Sequence, residues 1–373
     1  MDDNKSLDIM YVDVEKAFDS VSHVKLLYKL SRMGIGGNVH GWLKCFLTGR
    51  TQCVRVGNMV STFADVVSGI PQGTILGPLL FLLYVNELPQ LMNNCEISLY
   101  ADDSKFYGDS SSLKRCLDVA EDLLEAEYWF REWQLKINVG KCEVLHLGHS
   151  NIHFLYRINN FIVPERDHCK DLGIMVSSDL SVHSHCSKIA RSAFYRLRQF
   201  KQTFLCRDVT FRIFLYTTYL RPLVESNTPV WNPYCKCDID KIENFQRKFT
   251  KGLPGLRNMT YMERLNATKL DSLEVRRIHF DLILLFKIVH NLVDIPFDHY
   301  FSFNNNNTRG HAYKLNVNYC RTMKRKYFFT NRIVPIWNKL PGGVVSSLSL
   351  KAFKSAIKGI DFTAFCRGRA HAI

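Results

Sequence analysis

The stretch SLYADDSKFY, Ser98 to Tyr107, limits what this chain can fold into more than any other. Just before it, CEISLYAD alternates: Cys95, Ile97, Leu99 and Ala101 point one way, and Glu96, Ser98, Tyr100 and Asp102 the other. That is the period of a strand with one face covered and one open. SKFYG reads as the returning partner strand, which leaves the adjacent Asp102 and Asp103 at a hairpin turn. Two carboxylates ~4 Å apart repel by roughly 4 kcal/mol at an effective dielectric of about 20. A bound cation would make such a pair worthwhile, although turns also favour Asp for backbone reasons alone.

Along the rest of the chain an α+β region is followed by a mainly helical one. LDIMYVD, Leu7 to Asp13, is a nearly continuous apolar run and reads as a central strand covered on both faces. Ser22 caps a helix that carries Leu26, Leu27, Leu30 and Met33 and is closed by Gly34; a second helix covers Val39 to Leu47. QCVRVGNMVSTFADVVS forms a hairpin turning at Gly57-Asn58, and an apolar helix follows near Leu76 to Leu88. Its run LGPLLFLLYV is too short to span a bilayer. An amphipathic helix is expected from about Ser112 to Trp133, with Leu113, Leu117, Ala120, Leu124 and Tyr128 as its apolar face. CEVLHLG and CKDLGIMVS read as two further strands, and Asn304 to Asn307 as an exposed low-complexity loop or linker.

Charge is unevenly placed. Residues 1–150 hold 14 Lys and Arg against 19 Asp and Glu, a net of −5, whereas residues 151–373 hold 35 against 16, a net of +19. A basic half of this size is the footprint of a polyanion binder, or else a solvated basic surface. Twelve cysteines show no disulfide rhythm and MDDNKSLD shows no secretory signal, which points to a reducing, intracellular setting. His183, His185 and Cys186 cluster, as do Cys235 and Cys237, without completing a zinc pattern. Trp129, Trp133, Trp231 and Trp337 read as core anchors; MKRKYFF, Met323 to Phe329, mixes cations and aromatics as nucleic-acid surfaces do.

Asp13 ends the first strand. If that strand neighbours CEISLY in one sheet, Asp13 and Asp102 converge on one face. Carboxylate oxygens converging there suit Mg2+, and a pair of such ions is the device for in-line phosphoryl transfer. The intervening segments carry a family resemblance. YVDVEKAFDSVSH, SGIPQGTILGPLLFLLYVNELP and LYADD resemble, in that order, motifs A, B and C of reverse transcriptases, most closely those of LINE-type, non-LTR retrotransposons. INVGKCEVLHLG looks like their motif D and CKDLGIMVSSDLS like the primer-grip region. The resemblance continues through LYTTYLRPLVESNTPVWNPY, TYMERL, RRIHFDLILLFKIVHNLVD and RIVPIWNKLP, and so covers nearly the whole chain.

The resemblance implies a right-hand polymerase palm, an antiparallel sheet with helices on one face, followed by a mainly α-helical thumb and carboxyl-terminal region. The divisions would be a palm over 1–165, primer grip and helical thumb over 166–300, and a basic region over 301–373. The implied activity is RNA-directed DNA polymerase, with two Mg2+ ions (Mn2+ as substitute) and with RNA template, DNA primer and dNTPs as partners. Asp13 and Asp102 would be the principal metal ligands and Asp103, pointing partly away, the third. Phe18 resembles a steric gate against the ribose 2′-hydroxyl, with a core role as its alternative. Gln72 and Gly73 would touch the incoming nucleotide and templating base, and Lys141 would neutralise or protonate the leaving pyrophosphate. Lys16 and Asp19 belong to motif A, Asp19 also being placed to cap a turn, and Pro78 suits a first helical turn.

Family members carry fingers before motif A and an endonuclease further upstream, whereas only 12 residues precede Asp13. The expectation is therefore an amino-terminally truncated enzyme, acting in nucleus and cytoplasm without membrane contact, its fingers or endonuclease supplied by a partner chain. The rival reading is a catalytically inactive or host-adopted remnant that only binds RNA or DNA. An intron-encoded maturase-type enzyme is a third, which LGP after PQGT and the long carboxyl-terminal resemblance disfavour.

Overall fold

The computed structural model describes residues 5–304 and 311–368, so Asn305 to Asn307 of the low-complexity tract lie outside the described residues. The chain divides between Cys169 and Lys170 into two compact units. In the first, β1 (Leu7–Val12) leads to α1 (His23–Arg32), α2 (Gly37–Leu47) and α3 (Leu76–Val85). The hairpin β2 (Cys95–Tyr100) and β3 (Asp103–Asp109), the long α4 (Leu113–Glu132) and β4 (Glu143–Leu147) follow. The four strands make one sheet in the order β2-β3-β1-β4, every neighbouring pair antiparallel. β1 is central, as its apolar run implied.

One face of that sheet is the core. Met10 lies between Phe106 and Val144 across the strands. All three are buried in one apolar cluster with Leu80, Phe81 and Tyr84 of α3 and with Val119, Leu123 and Ala126 of α4. α4 comes so close to β3 that a Cβ on Gly108 would stand 2.4 Å from Cγ2 of Val119, which leaves room only for glycine. This closeness also corrects the expected apolar face of α4. Leu113, Leu117, Leu124 and Tyr128 are each more than half exposed, while Cys116, Val119, Leu123, Ala126 and Phe130 are buried. The face that carries Val119 is turned inward, where the absence of a side chain on Gly108 lets the helix approach the sheet.

The helix start at Ser112 holds, its hydroxyl accepting from the Arg115 N–H at 3.3 Å. So does the hairpin at Gly57-Asn58, where Val56 pairs with Met59. CKDLGIMVS, by contrast, is not one strand. His168–Asp171 and Ile174–Ser177 form a two-stranded sheet of their own, because Leu172 and Gly173 both take positive φ and turn the chain.

The second unit is mainly helical, with α5 (His183–Thr203), α6 (Lys236–Lys251), α7 (Tyr261–Thr268), α8 (Leu273–Val289) and α9 (Leu350–Ile357). One apolar cluster gathers Leu197, Tyr216, Trp231, Phe245 and Phe249; another gathers Leu282, Phe286, Trp337 and Phe353. Trp129, Trp231 and Trp337 are buried and Trp133 partly so, as core anchors should be. The buried Glu243 is satisfied by the Tyr261 hydroxyl and by the N–H groups of Leu273 and Glu274 at the start of α8. Among the described residues no helix is long and apolar enough to cross a membrane.

Candidate active site

Tyr100 pairs with Asp103, so the turn joining β2 to β3 consists of Ala101 and Asp102 alone. Ala101 has φ of 54°, a left-handed value that costs an alanine about 1–2 kcal/mol. Two-residue hairpin turns need positive φ to match the twist of their strands, and here alanine stands where glycine is preferred. Asp102 is half-buried at the apex and Asp103 is exposed at the head of β3.

The register corrects how these carboxylates relate to Asp13. β3, not β2, is the neighbour of β1, and Val12 lies opposite Ser104. Continued one residue past the end of β1, that register brings Asp13 level with Asp103, and directly opposed residues of an antiparallel pair share a face. Asp103, expected to point partly away, is therefore on the side of Asp13 with Tyr11, Lys105, Ser98 and Tyr100. Parity counted along β2 as far as Asp102 fails because the turn removes Ala101 and Asp102 from the alternation. Lys105 was missed; two positions beyond Asp103 in an alternating strand, it follows from the period alone.

Lys141 reaches the same place. The Asn138 N–H donates to the Asp13 carbonyl at 2.8 Å, and Val14 bridges Ile137. This anchors the single turn Val139–Lys141 against the end of β1. Lys141 Nζ then stands 3.3 Å from Oδ2 of Asp13, a buried oxygen that accepts no hydrogen bond. The three carboxylates do not themselves form a tight cluster. Among the described residues, the sets of three metal-ligating atoms lying within 4.8 Å of one another are His146–His153–Glu165 and His183–Cys237–Asp238.

Beside this end of β1, the segment after Asp13 is locked to the PQGT segment. The Phe18 carbonyl accepts from Ile70 N and the Val21 carbonyl from Gly69 N, both at 2.8 Å. Ser68 Oγ donates to the Asp19 carbonyl, and Gln72 Nε2 to Asp19 Oδ1, both at 2.9 Å. Asp19 thus holds Gln72 with its side chain. Gly69 has φ of 88°, and a Cβ there would meet the Asp19 backbone at 2.8 Å. Phe18 is half-buried and stacks on Phe81 with ring centroids 4.6 Å apart, so its ring borders the core whatever else it meets. Gly73 has φ of 77° with open space where a Cβ would go, and Lys16 is left-handed at the turn before Phe18. Pro78 lies in the first turn of α3.

In the second unit, Arg198 and Lys201 of α5 and Lys248 of α6 line a groove of about 320 Å³ with Phe194, Leu197 and Gln202. Burial, with Lys248 and Arg212 nearby, pulls the Lys201 ammonium below the usual lysine range. In MKRKYFF the cations are exposed, while Tyr327 stacks on Tyr234 at 4.8 Å and Phe329 packs against the apolar cluster around Trp337. His185 and Cys186 are buried, leaving His183 alone of that trio to meet Cys237 and Asp238.

The reverse transcriptase (RNA-dependent DNA polymerase) family matches residues 2–176. The chain is 27% identical over 285 residues to a probable RNA-directed DNA polymerase from transposon X-element of Drosophila melanogaster, covering 71% of this chain and 30% of that protein. To the RNA-directed DNA polymerase from mobile element jockey of the same fly it is 25% identical, over 66% of this chain and 28% of the relative. It thus spans under a third of the length of these curated relatives. Among solved structures, telomerase from Candida albicans in complex with a fragment of telomeric RNA aligns at 11% identity and a TM-score of 0.40, over 72% of this chain and 51% of that one.

Proposed function

Since residues 2–176 are a reverse transcriptase domain related to those of non-LTR retrotransposons, we propose that this chain performs RNA-directed DNA synthesis by two-metal nucleotidyl transfer. The primer 3′-oxygen would form a bond to the α-phosphorus of a dNTP while the bond to the bridging oxygen breaks and pyrophosphate leaves. The observation that carries this reading is the pairing of Val12 with Ser104, which brings Asp13 level with Asp103 at the end of the sheet, with Asp102 at the adjoining turn and a lysine at Asp13.

The donor set fits the metal expected. Three carboxylates, one with a buried oxygen lacking a hydrogen bond, are hard ligands of the kind Mg2+ takes, and Mn2+ would accept the same set. When bound there, the ions would supply activation of the 3′-hydroxyl and neutralisation of the triphosphate. Lys141 would hold a proton beside Asp13 for the leaving pyrophosphate. Gln72, oriented by Asp19, and Gly73, with open space beside its backbone, would receive the nucleotide and templating base. Phe18, braced on Phe81, would set the width available at the sugar. The groove of Arg198, Lys201 and Lys248 would grip the template–primer backbone, a contact that weakens steeply with salt. The division into palm, primer grip with thumb, and basic carboxyl-terminal region stays part of this proposal.

Primer extension on an RNA template with Mg2+ and dNTPs tests it, run beside Asp13→Asn and an Asp102→Asn, Asp103→Asn variant. Extension by the natural chain and none by either variant is the expected outcome. Equal template–primer binding by all three proteins without extension would replace polymerase with the binding-only reading.

A further inference from the structure

Away from the aspartates, the first unit brings three other metal-ligating side chains together. They are His146 on β4, and His153 and Glu165 from the segment that follows it, each offering one atom, all within 4.8 Å of one another. His153 Nδ1 is 2.7 Å from Glu165 Oε1, and the two imidazole rings lie 4.8 Å apart. Each of these residues is held. The His153 N–H donates to Asn151 Oδ1 at 2.8 Å, fixing a left-handed backbone with φ of 56°. Glu165 is bridged to Val144, two residues before His146 on the same strand.

Behind His146 stands a buried carboxylate. His146 Nδ1 is 2.7 Å from Oδ1 of Asp8, and Asp8 also accepts from Asn151 Nδ2 at 2.7 Å and from the Tyr156 hydroxyl at 2.8 Å. With Asp8 Oδ1 accepting from Nδ1, the lone pair of the His146 ring is left on Nε2. Metal-bound histidines are oriented in this way, with the ligand nitrogen forward and the other N–H on a carboxylate.

We propose that His146, His153 and Glu165 form a zinc site, with Asp8 orienting His146 and a water completing the shell. Two imidazole nitrogens and one carboxylate oxygen form a ligand set that Zn2+ takes and that Mg2+, which prefers oxygen, does not. Neighbouring ligands of a tetrahedral ion with bonds of about 2.0 Å are roughly 3.3 Å apart, so the His153–Glu165 contact needs to open only slightly. The role is structural. The ion would staple the chain from 148 to 165 onto β4, the strand entered directly after Lys141. The other cluster is a poorer host, because Lys241 Nζ stands 3.3 Å from the Asp238 oxygen that already meets His183.

The test is titration of the metal-stripped full chain with Zn2+, and separately with Co2+ as a spectroscopic probe. The variants are His153→Ala with Glu165→Gln, at exposed positions whose loss leaves the core intact, and Cys237→Ser. One tight equivalent in the natural chain and in Cys237→Ser, lost in the double variant, with Co2+ bands lacking a thiolate charge-transfer feature, is expected. No tight equivalent in the natural chain would overturn the proposal. So would unchanged affinity in the double variant, or a thiolate band abolished by Cys237→Ser.

Discussion

Lys141 Nζ lies 3.3 Å from Oδ2 of Asp13, a pairing between residues far apart in the sequence. Lys141 is largely exposed and Asp13 is not. The contact does little for stability, since exposed pairs contribute about 0–1 kcal/mol. Under the proposed function its role is catalytic. Replacing Lys141 with Ala should lower the single-turnover rate of nucleotide addition by about 100-fold, the low end for general acid catalysis, with template–primer affinity unchanged. A rate within a factor of two would reduce Lys141 to a surface ion pair.

Phe18 should act on sugar choice as well as on packing. In Phe18→Ala the preference for dNTP over rNTP should fall roughly 10- to 100-fold, as expected when one steric group carries the discrimination. The ratio of kcat/KM values for the two nucleotides reads this directly and is insensitive to how much enzyme is folded. An unchanged ratio would leave Phe18 as the neighbour of Phe81 only.

Ala101 offers a gain. Its left-handed φ costs about 1–2 kcal/mol, and glycine gives back about 0.5–1 kcal/mol of that as lost chain entropy. Ala101→Gly should therefore stabilise the first unit by about 0.5–1 kcal/mol, raising its melting midpoint by roughly 1–3 °C. Calorimetry that finds a lower midpoint would mean that the turn is not held as described.

The opposite holds at Gly69. A Cβ there would press on the Asp19 backbone at 2.8 Å, and the left-handed φ adds strain. Gly69→Ala should cost about 2–4 kcal/mol by denaturant unfolding. It should also impair nucleotide addition, since the Asp19–Gln72 contact depends on that junction.

His185 gives the second unit a pH dependence. Burial, with Lys188 adding to it, pushes this imidazole down to about 4, and its Nδ1 accepts from the Met175 N–H at 3.2 Å. The neutral form is favoured in the folded chain, so stability is fully present above the unfolded value of about 6.5 and is lost as pH falls toward 4. The loss should approach about 3 kcal/mol at most. Unfolding curves of His185→Gln should be flatter over that window; equal slopes would refute the assignment.

How much of this could be read in advance differs from residue to residue. The alternation of β2 was legible because a half-covered strand must segregate its side chains. It says which face a residue takes but not which strand lies alongside, so β3 beside β1 was hidden. In α4 the stripe of Leu113, Leu117, Leu124 and Tyr128 is exposed while Cys116, Val119, Leu123, Ala126 and Phe130 are buried. Apolar spacing alone did not choose between two overlapping faces; the close approach at Gly108 did. That Asp13, Asp102 and Asp103 stand near one end of the sheet followed from strand ends and a turn; how each relates to Asp13 depended on a two-residue turn. The partnership of Asp8 with His146 carried no local signal, being made across the strand pair β1–β4.

The strand order has a kinetic corollary. β2 and β3 are joined by two residues and can pair early, at little cost in loop closure. β1 must then be captured by β3, closing a span of about ninety residues before Asp13 ever meets Asp103. The acidic end of the sheet thus waits on that long-range docking, and under the proposed function any brake on it would delay activity without touching a single residue of the candidate site.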